Sequence, residues 1–165
     1  MNHLWTPWRS TYMQSGSEKQ RCIFCEAAAG KDDDNTLVVY RGKSCFVMLN
    51  RYPYTSGHLM IAPYEHVSRL TGAEMATTDE MMRLARNAEQ ILESVYKPDG
   101  LNLGMNLGEA AGAGIEQHIH LHVLPRWKGD ANFMSTVGQT RIIPESLEDT
   151  YAKLRLGFQE IAPLD

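Results

Sequence analysis

Three histidines alternate with apolar residues in His118-Ile119-His120-Leu121-His122-Val123-Leu124-Pro125. Successive side chains of an extended segment point to opposite faces. The three imidazoles therefore share one face, spaced about 6.6–7 Å apart in successive pairs, while Ile119, Leu121 and Val123 can enter a core. With six histidines in 165 residues, this alternation is not what a strand needs for stability alone. Imidazole offers two chemistries here. It ligates zinc, copper, iron or nickel, and it does acid–base or nucleophilic work near neutral pH.

Two further segments bear on that choice. Cys22-Ile23-Phe24-Cys25 is a C-x-x-C pair, which is half of a tetrahedral zinc site. The missing ligands would come from elsewhere, with histidine the natural type. A redox pair is the alternative, without the βαβ pattern that usually surrounds one. Cys45 lies in a strand-like run and reads as a small core residue. Ahead of the triad, Asn106-Leu107 leads into Gly108-Glu109-Ala110-Ala111-Gly112-Ala113-Gly114. Glycines allow close backbone approach, and exposed amides in such turns suit phosphate oxygens. A loop of this kind running into three same-face histidines points to nucleophilic attack on phosphorus, with amides holding the developing charge.

The elements that must position these residues follow from pattern. Leu37 to Tyr40 and Cys45 to Leu49 read as a hairpin around Arg41-Gly42-Lys43-Ser44. His58 to Ala62 reads as a third strand, stopped by Pro63. Thr71 with Glu74, and Thr77 with Glu80, fit capping-box spacing. Met81, Leu84, Ala85, Ala88, Ile91, Leu92 and Val95 then recur at helical period, giving a helix of about 18 residues or a little more that ends before Pro98-Asp99-Gly100. The methionines clustered there read as core. Leu101 to Leu107 and Ile119 to Leu124 are two more strands, and Glu145 to Phe158 has weak helical character. Asp32-Asp33-Asp34, within Gly30 to Asn35, reads as an exposed acidic loop. Five strands with one main helix segregated in sequence predict an α+β domain with a largely antiparallel sheet.

Composition sets the frame. At 165 residues the chain fits one domain of ordinary size, about 100 to 200 residues, and 43% hydrophobic with 22% charged residues is ordinary for a globular protein. A net charge of −4 argues against bulk nucleic-acid binding. No apolar run approaches the roughly 18 residues of a membrane span. Met1 to Ser10 lacks the apolar stretch of a secretory signal, yet Leu4-Trp5-Thr6-Pro7-Trp8-Arg9 is aromatic enough to need a packing partner. Three cysteines are too few for a disulfide scaffold, so a cytoplasmic location with reduced thiols is expected.

Taken together, the chain resembles the histidine triad (HIT) superfamily. The motif there is His-φ-His-φ-His-φ-φ, with φ apolar, and residues 118–124 fit it at every position. Asn50-Arg51-Tyr52-Pro53, then Gly57 to Pro63 and His66, resemble the family's second block, and Asn106-Leu107-Gly108 its third. The likeness runs from about Cys22 to Arg126. Within the superfamily the chain is similar to the small diadenosine tetraphosphate phosphorylases. Leu4 to Arg9, Asn50 with Pro53-Tyr54, and the run from Pro125 to Phe133 carry that likeness.

The resemblance implies a HIT-like single domain over residues 1–165, with an N-terminal arm at 1–20, about five mainly antiparallel strands, one long helix and a C-terminal helical tail at 145–165. It implies that a bare His120 attacks the α-phosphorus of a dinucleoside polyphosphate and forms a nucleotidyl-histidine. His122 would hydrogen-bond the phosphate or bridging oxygen, and His58 would order the site. Asn106 and the loop from Gly112 to Gly114 would orient phosphate, Asn50 would meet the ribose, and Phe24, Phe46 and Leu49 would line the base pocket. Cys22, Cys25, His66 and His118 would form a closed structural zinc site. A homodimer is the family's usual assembly. Many HIT hydrolases carry Gln-Ser where this sequence has Gly114-Ile115, which favours a substrate with a good leaving group. Two rival readings are a nucleotide sensor without turnover and a hydrolase whose three histidines share a catalytic metal.

Overall fold

Five short apolar runs pair into a single sheet. The computed structural model describes residues 22–131 and 144–160. Helix α1 (Ile23–Ala29) and the one-turn α2 (Asp33–Thr36) precede β1 (Val38–Arg41), β2 (Cys45–Leu49) and β3 (Leu59–Pro63). A 3₁₀ turn (Leu70–Gly72) leads into α3 (Met75–Tyr96), followed by β4 (Gly100–Gly104), a second 3₁₀ turn (Glu109–Ala111), β5 (Leu121–Arg126) and α4 (Leu147–Glu160). The order across the sheet is β1-β2-β3-β5-β4, and every neighbouring pair is antiparallel. The α+β architecture and the five strands are as the pattern predicts. Leu4 to Arg9, with the rest of the N-terminal arm, lie outside the described residues, as do Asn132, Phe133 and residues 161–165.

The period of two divides the side chains between the faces. Cys45, Val47 and Leu49 of β2 join Leu59 and Ile61 of β3 in the larger core, against α3 and α4. Phe46, Met48, Met60 and Ala62 point to the other face and pack under Phe24 and Ala27 of α1. Cys45 is fully buried, as a small core residue should be. The α3 stripe of Met81, Leu84, Ala85, Ala88, Ile91 and Leu92 is buried, so the methionine assignment to core holds at Met81 but fails at Met75 and Met82, which lie off that stripe and are exposed. Helix α4 crosses α3 closely at Gly157, where an added Cβ would come within 2.7 Å of Ile91 Cγ2.

Three local readings are corrected. Helix α3 begins at Met75, between the starts that the Thr71 and Thr77 capping boxes predict, and neither box forms. Thr71 lies in the first 3₁₀ turn, and Glu74 caps α3 without a side-chain hydrogen bond. Thr77 and Glu80 are buried inside the helix. The Glu80 carboxylate instead accepts the backbone N–H groups of Lys43 (2.7 Å) and Ser44 (2.5 Å) in the β1–β2 turn. Buried amides require an acceptor, and the turn's need overrides the local cap.

The acidic stretch is also tied down rather than a free loop. Asp32 caps α2 by accepting Asn35 N–H, Asp33 pairs with Arg41 at 2.7 Å, and Asp34 pairs with Tyr151 and Arg155 of α4. Arg41 also donates to the carbonyls of Ala27, Ala28 and Gly30. It thereby closes the C-terminal end of α1, whose last carbonyls have no partner within the helix.

Finally, the ladder of β4 stops at Gly104 instead of Leu107, and that of β5 runs from Leu121 to Arg126 instead of Ile119 to Leu124. His118 and His120 therefore precede the paired strand. The extended alternation still carries through them, because Ile119 N–H is held by Val67 O at 2.7 Å.

Candidate functional site

Alternation puts His118, His120 and His122 on the α1 side of the sheet and Ile119, Leu121 and Val123 in the opposite core. The three rings do not converge on a common point. Each is turned by a different partner, and those partners settle which nitrogen carries the proton.

His118 Nε2 lies 2.9 Å from Pro63 O, and His120 Nδ1 lies 2.9 Å from His118 O. A carbonyl only accepts, so both nitrogens are N–H donors. That leaves the lone pair on Nδ1 of His118 and on Nε2 of His120. Tyr54 N–H donates to His58 Nδ1 at 3.2 Å. Neutral His58 must then carry its proton on Nε2, which donates to His122 Nδ1 at 2.9 Å. His122 is left with an N–H on Nε2.

Protonation is suppressed throughout the group. His58 is pushed down to about 3, by burial first and then by the neighbouring His122 and His120. His122 is pushed down to about 4, by burial and then by His120. Burial lowers His120 as well, opposed by its bond to the His118 carbonyl. All three are neutral at pH 7, so the site presents one unprotonated lone pair beside one N–H donor. The expectation of a bare central ring is not met. His120 is only 5% exposed, with its face against Phe24 at 4.6 Å between centroids. Among the described residues its Nε2 has no hydrogen-bond partner, so the Nε2 lone pair, rather than the ring face, is what is left unengaged.

The remaining predicted residues fall into three groups. Asn50 donates towards His58 Nδ1 (3.3 Å) and accepts Tyr52 N–H (2.9 Å), which places it beside the His58–His122 pair. Asn106 lies two residues, and the start of the glycine loop four residues, beyond Gly104, the partner of His122 in the β4–β5 ladder. Asn106 Nδ2 donates to Gly112 O at 3.4 Å, and Gly108 and Gly112 have φ of 90° and 85°, a region that favours glycine. Gly114 is exposed further along the same loop. Phe24 packs against His118 and His120, and Phe46 lies in the same apolar cluster with its ring against Tyr64; both are buried, at 1% and 0% exposure. Leu49 is not brought to this face at all. It differs from Phe46 by an odd number of positions and points into the α3 core.

Cys22, Cys25, His66 and His118 form a second constellation. Their donor atoms all lie within 4.8 Å of one another, and among the described residues this is the one such cluster. Cys22 Sγ is 3.3 Å from His118 Nδ1, Cys25 Sγ is 3.1 Å from His66 Nδ1, and the two Nδ1 atoms are 3.2 Å apart. Tetrahedral coordination with metal–sulfur bonds of about 2.3 Å and metal–nitrogen bonds of about 2.0–2.1 Å gives donor separations of about 3.3–3.8 Å. The cluster lies close to that spacing, and its two thiols and two imidazoles could hold a metal ion. His118 turns its lone pair into the cluster because Pro63 O holds its other nitrogen, the usual outer support of a metal-binding imidazole.

Tyr54 is a site residue that the sequence reading did not place. Its ring lies 4.7 Å from His58 and 6.1 Å from His122. An aromatic in the turn before His58 was the available signal. Two open clefts, of about 380 and 530 Å³, lie on the outer face of α3 and between α2 and α4. Neither borders a histidine, so chemistry rather than concavity identifies the site.

The HIT domain matches residues 31–129. The chain belongs to the HIT family. This HIT protein is 38% identical over 157 residues to the AP-4-A phosphorylase of Mycobacterium tuberculosis, covering 91% of this chain and 80% of that one. It is 30% identical over 93 residues to the asymmetrical bis(5'-nucleosyl)-tetraphosphatase of Schizosaccharomyces pombe, covering 56% of this chain and 50% of that one. Its fold is similar to a Zn-bound histidine triad family protein from Mycobacterium smegmatis, with a TM-score of 0.68 and 28% identity over 84% of this chain and 94% of that one. Cys22 and Cys25 lie N-terminal to the span matched by the HIT domain, whereas His66 and His118 lie within it.

Proposed function

We propose that this HIT enzyme cleaves a phosphoric anhydride of a dinucleoside polyphosphate, with diadenosine tetraphosphate the leading substrate. The observation that carries the reading is the pair of fixed tautomers, a lone pair on His120 Nε2 next to an N–H on His122 Nε2. Likeness to the M. tuberculosis AP-4-A phosphorylase over most of both chains supports the substrate class.

In this scheme His120 Nε2 attacks the α-phosphorus, and a P–N bond forms as the P–O bond to the bridging oxygen breaks. The electron pair leaves with the departing nucleoside polyphosphate, a good leaving group that needs little protonation. His122 Nε2–H hydrogen-bonds the phosphate or bridging oxygen. Water or inorganic phosphate then attacks phosphorus, the P–N bond breaks with its electron pair returning to His120 Nε2, and the proton of an attacking water passes to solvent. Asn106 and the loop amides from Gly112 to Gly114 hold the non-bridging oxygens. Asn50 meets the ribose, its side chain retaining one N–H and one lone pair after its bonds to His58 and Tyr52.

The metal cluster is assigned to zinc. Two thiolates with two imidazoles suit it, and the M. smegmatis relative is Zn-bound. When bound, the ion supplies structural cross-linking only, since four protein ligands leave no position for substrate. The reading includes a reducing, cytoplasmic setting, supported by three cysteines that form no disulfide, and a homodimer, supported by the position of β4 at the edge of the sheet among the described residues. Among the described residues no helix is long and apolar enough to cross a membrane.

The test is incubation with diadenosine tetraphosphate with and without inorganic phosphate. ADP formed only with phosphate identifies phosphorolysis, and AMP plus ATP without it identifies hydrolysis. An adenylyl adduct on His120, found by mass spectrometry after acid-free quenching, would establish the intermediate. Full activity in His120→Ala removes the mechanism, and binding without turnover favours a sensor.

A further inference from the structure

Phe24 sits between the two thiols of the metal cluster and against the histidine assigned as nucleophile. It is 1% exposed, whereas its neighbour Ile23 is 44% exposed. Its ring centroid lies 4.6 Å from that of His120 at 32°, and 5.1 Å from that of His118 at 45°. Cys22 is the N-cap of α1 and Cys25 lies in its first turn, so Phe24 is bracketed by the two donors, next to Cys25 and separated from Cys22 by one residue. A seven-residue helix has little stability of its own. Arg41 holds the C-terminal carbonyls of α1, and at its N-terminal end Cys22 and Cys25 join the donor cluster beside the buried Phe24.

The His120 imidazole has one fixed hydrogen bond, from Nδ1 to the His118 carbonyl. One such bond directs a nitrogen but leaves the ring free to rock about it. A packed face is needed to set the ring plane, and Phe24 supplies that face. Residue 118 links the same two centres along the backbone. Its Nδ1 joins the metal cluster, and its carbonyl holds His120.

We propose that Phe24 is a positioning residue for the His120 imidazole, kept in place by the metal-ligating thiols on either side of it. This differs from the base-pocket role that the family resemblance implies for Phe24. It rests on the reading of His120 as nucleophile for its kinetic consequence, but not for its structural one.

The experiment uses the full-length, zinc-loaded protein and its Phe24→Leu and Phe24→Ala variants. Zinc content, kcat and KM for diadenosine tetraphosphate, and the imidazole ¹⁵N spectrum at one fixed pH are measured. The expected result is retained zinc in Phe24→Leu, KM within about two-fold of the parent, and kcat lowered about ten-fold or more, as for a misplaced reacting group. The His120 nitrogens are expected to move from a single Nδ1–H form towards a tautomer average. Chelation of the parent protein is expected to move them the same way with no substrate present. A raised KM with unchanged kcat would mean a base contact and overturn the proposal. Unchanged His120 nitrogens in both the variants and the chelated parent would overturn it as well. If Phe24→Ala loses zinc or unfolds, Phe24→Leu decides. If the parent turns over no dinucleoside polyphosphate, the proposed function fails, and the nitrogen spectrum still tests the positioning role.

Discussion

Each imidazole of the site has one nitrogen committed to a protein partner, and that commitment decides what the other nitrogen can do. His120 donates its Nδ1–H to a backbone carbonyl and keeps its Nε2 lone pair. His122 accepts a hydrogen bond at Nδ1 from His58 Nε2–H and keeps an N–H on Nε2. Replacing His120 by alanine should lower turnover by at least about a thousand-fold, the scale seen when a covalent nucleophile is removed, and should also lower the thermal midpoint, because the buried ring leaves a cavity against Phe24. A His58→Gln variant should lose the supported orientation of His122 and lower kcat more than it raises KM. Steady-state kinetics on both variants check this.

The depressed histidines also predict how stability varies with pH. In the unfolded chain these imidazoles titrate near 6.5, whereas in the fold His58 and His122 are held down to about 3 and about 4. Between those values the unfolded state binds more protons, so stability rises with pH. The contribution is fully present above pH 6.5 and is lost as pH falls towards 4 and then 3. Urea midpoints measured from pH 7.5 to pH 5 should fall, and the fall should be shallower in His58→Gln. Equal slopes would show that His58 is not held neutral.

At the scale of elements, Glu80 shows how a helix and a turn become one unit. Its carboxylate serves two turn amides across the α3–β2 contact, and an added Cβ at Gly42 would collide with it. Truncation to alanine strands two donors in a site where the residue is 7% exposed. Glu80→Ala should therefore cost about 2–4 kcal/mol, from two charge-assisted bonds each worth about 1.5–3 kcal/mol less partial hydration. Chemical denaturation measures it, and a cost below about 0.5 kcal/mol would mean that water replaces the carboxylate.

At the scale of the molecule, the sheet separates two tasks. One face is apolar and packs α3 and α4. The other carries the histidines over a smaller cluster closed by α1. Four donors from α1, from the segment after β3 and from the segment before β5 meet at the edge of that smaller face. Removing a bound metal should therefore lower the thermal midpoint and expose α1 and the segment around His118 before the α3 core. Hydrogen exchange on protein with and without a chelator would show this as faster exchange confined to those segments. Uniform destabilisation would instead place the metal's influence on the whole core.

The sequence by itself determined the features that depend on chain period and residue type. Alternation in residues 118–124 puts three imidazoles on one face whatever surrounds them. The helical stripe from Met81 to Leu92 and the short apolar runs specify a helix against a sheet, and Cys22 with Cys25 declares a thiol pair. Only the tertiary structure decided what those groups touch. It brought His66 and His118 to the thiols from positions 41 and 93 residues beyond Cys25, buried the ring of His120 under Phe24, and turned Leu49 away from the site. It also diverted Glu80 from a cap to a distant turn. Side-chain direction follows from local geometry, but tautomer, burial and ligand partnership depend on atoms that meet only when the chain folds.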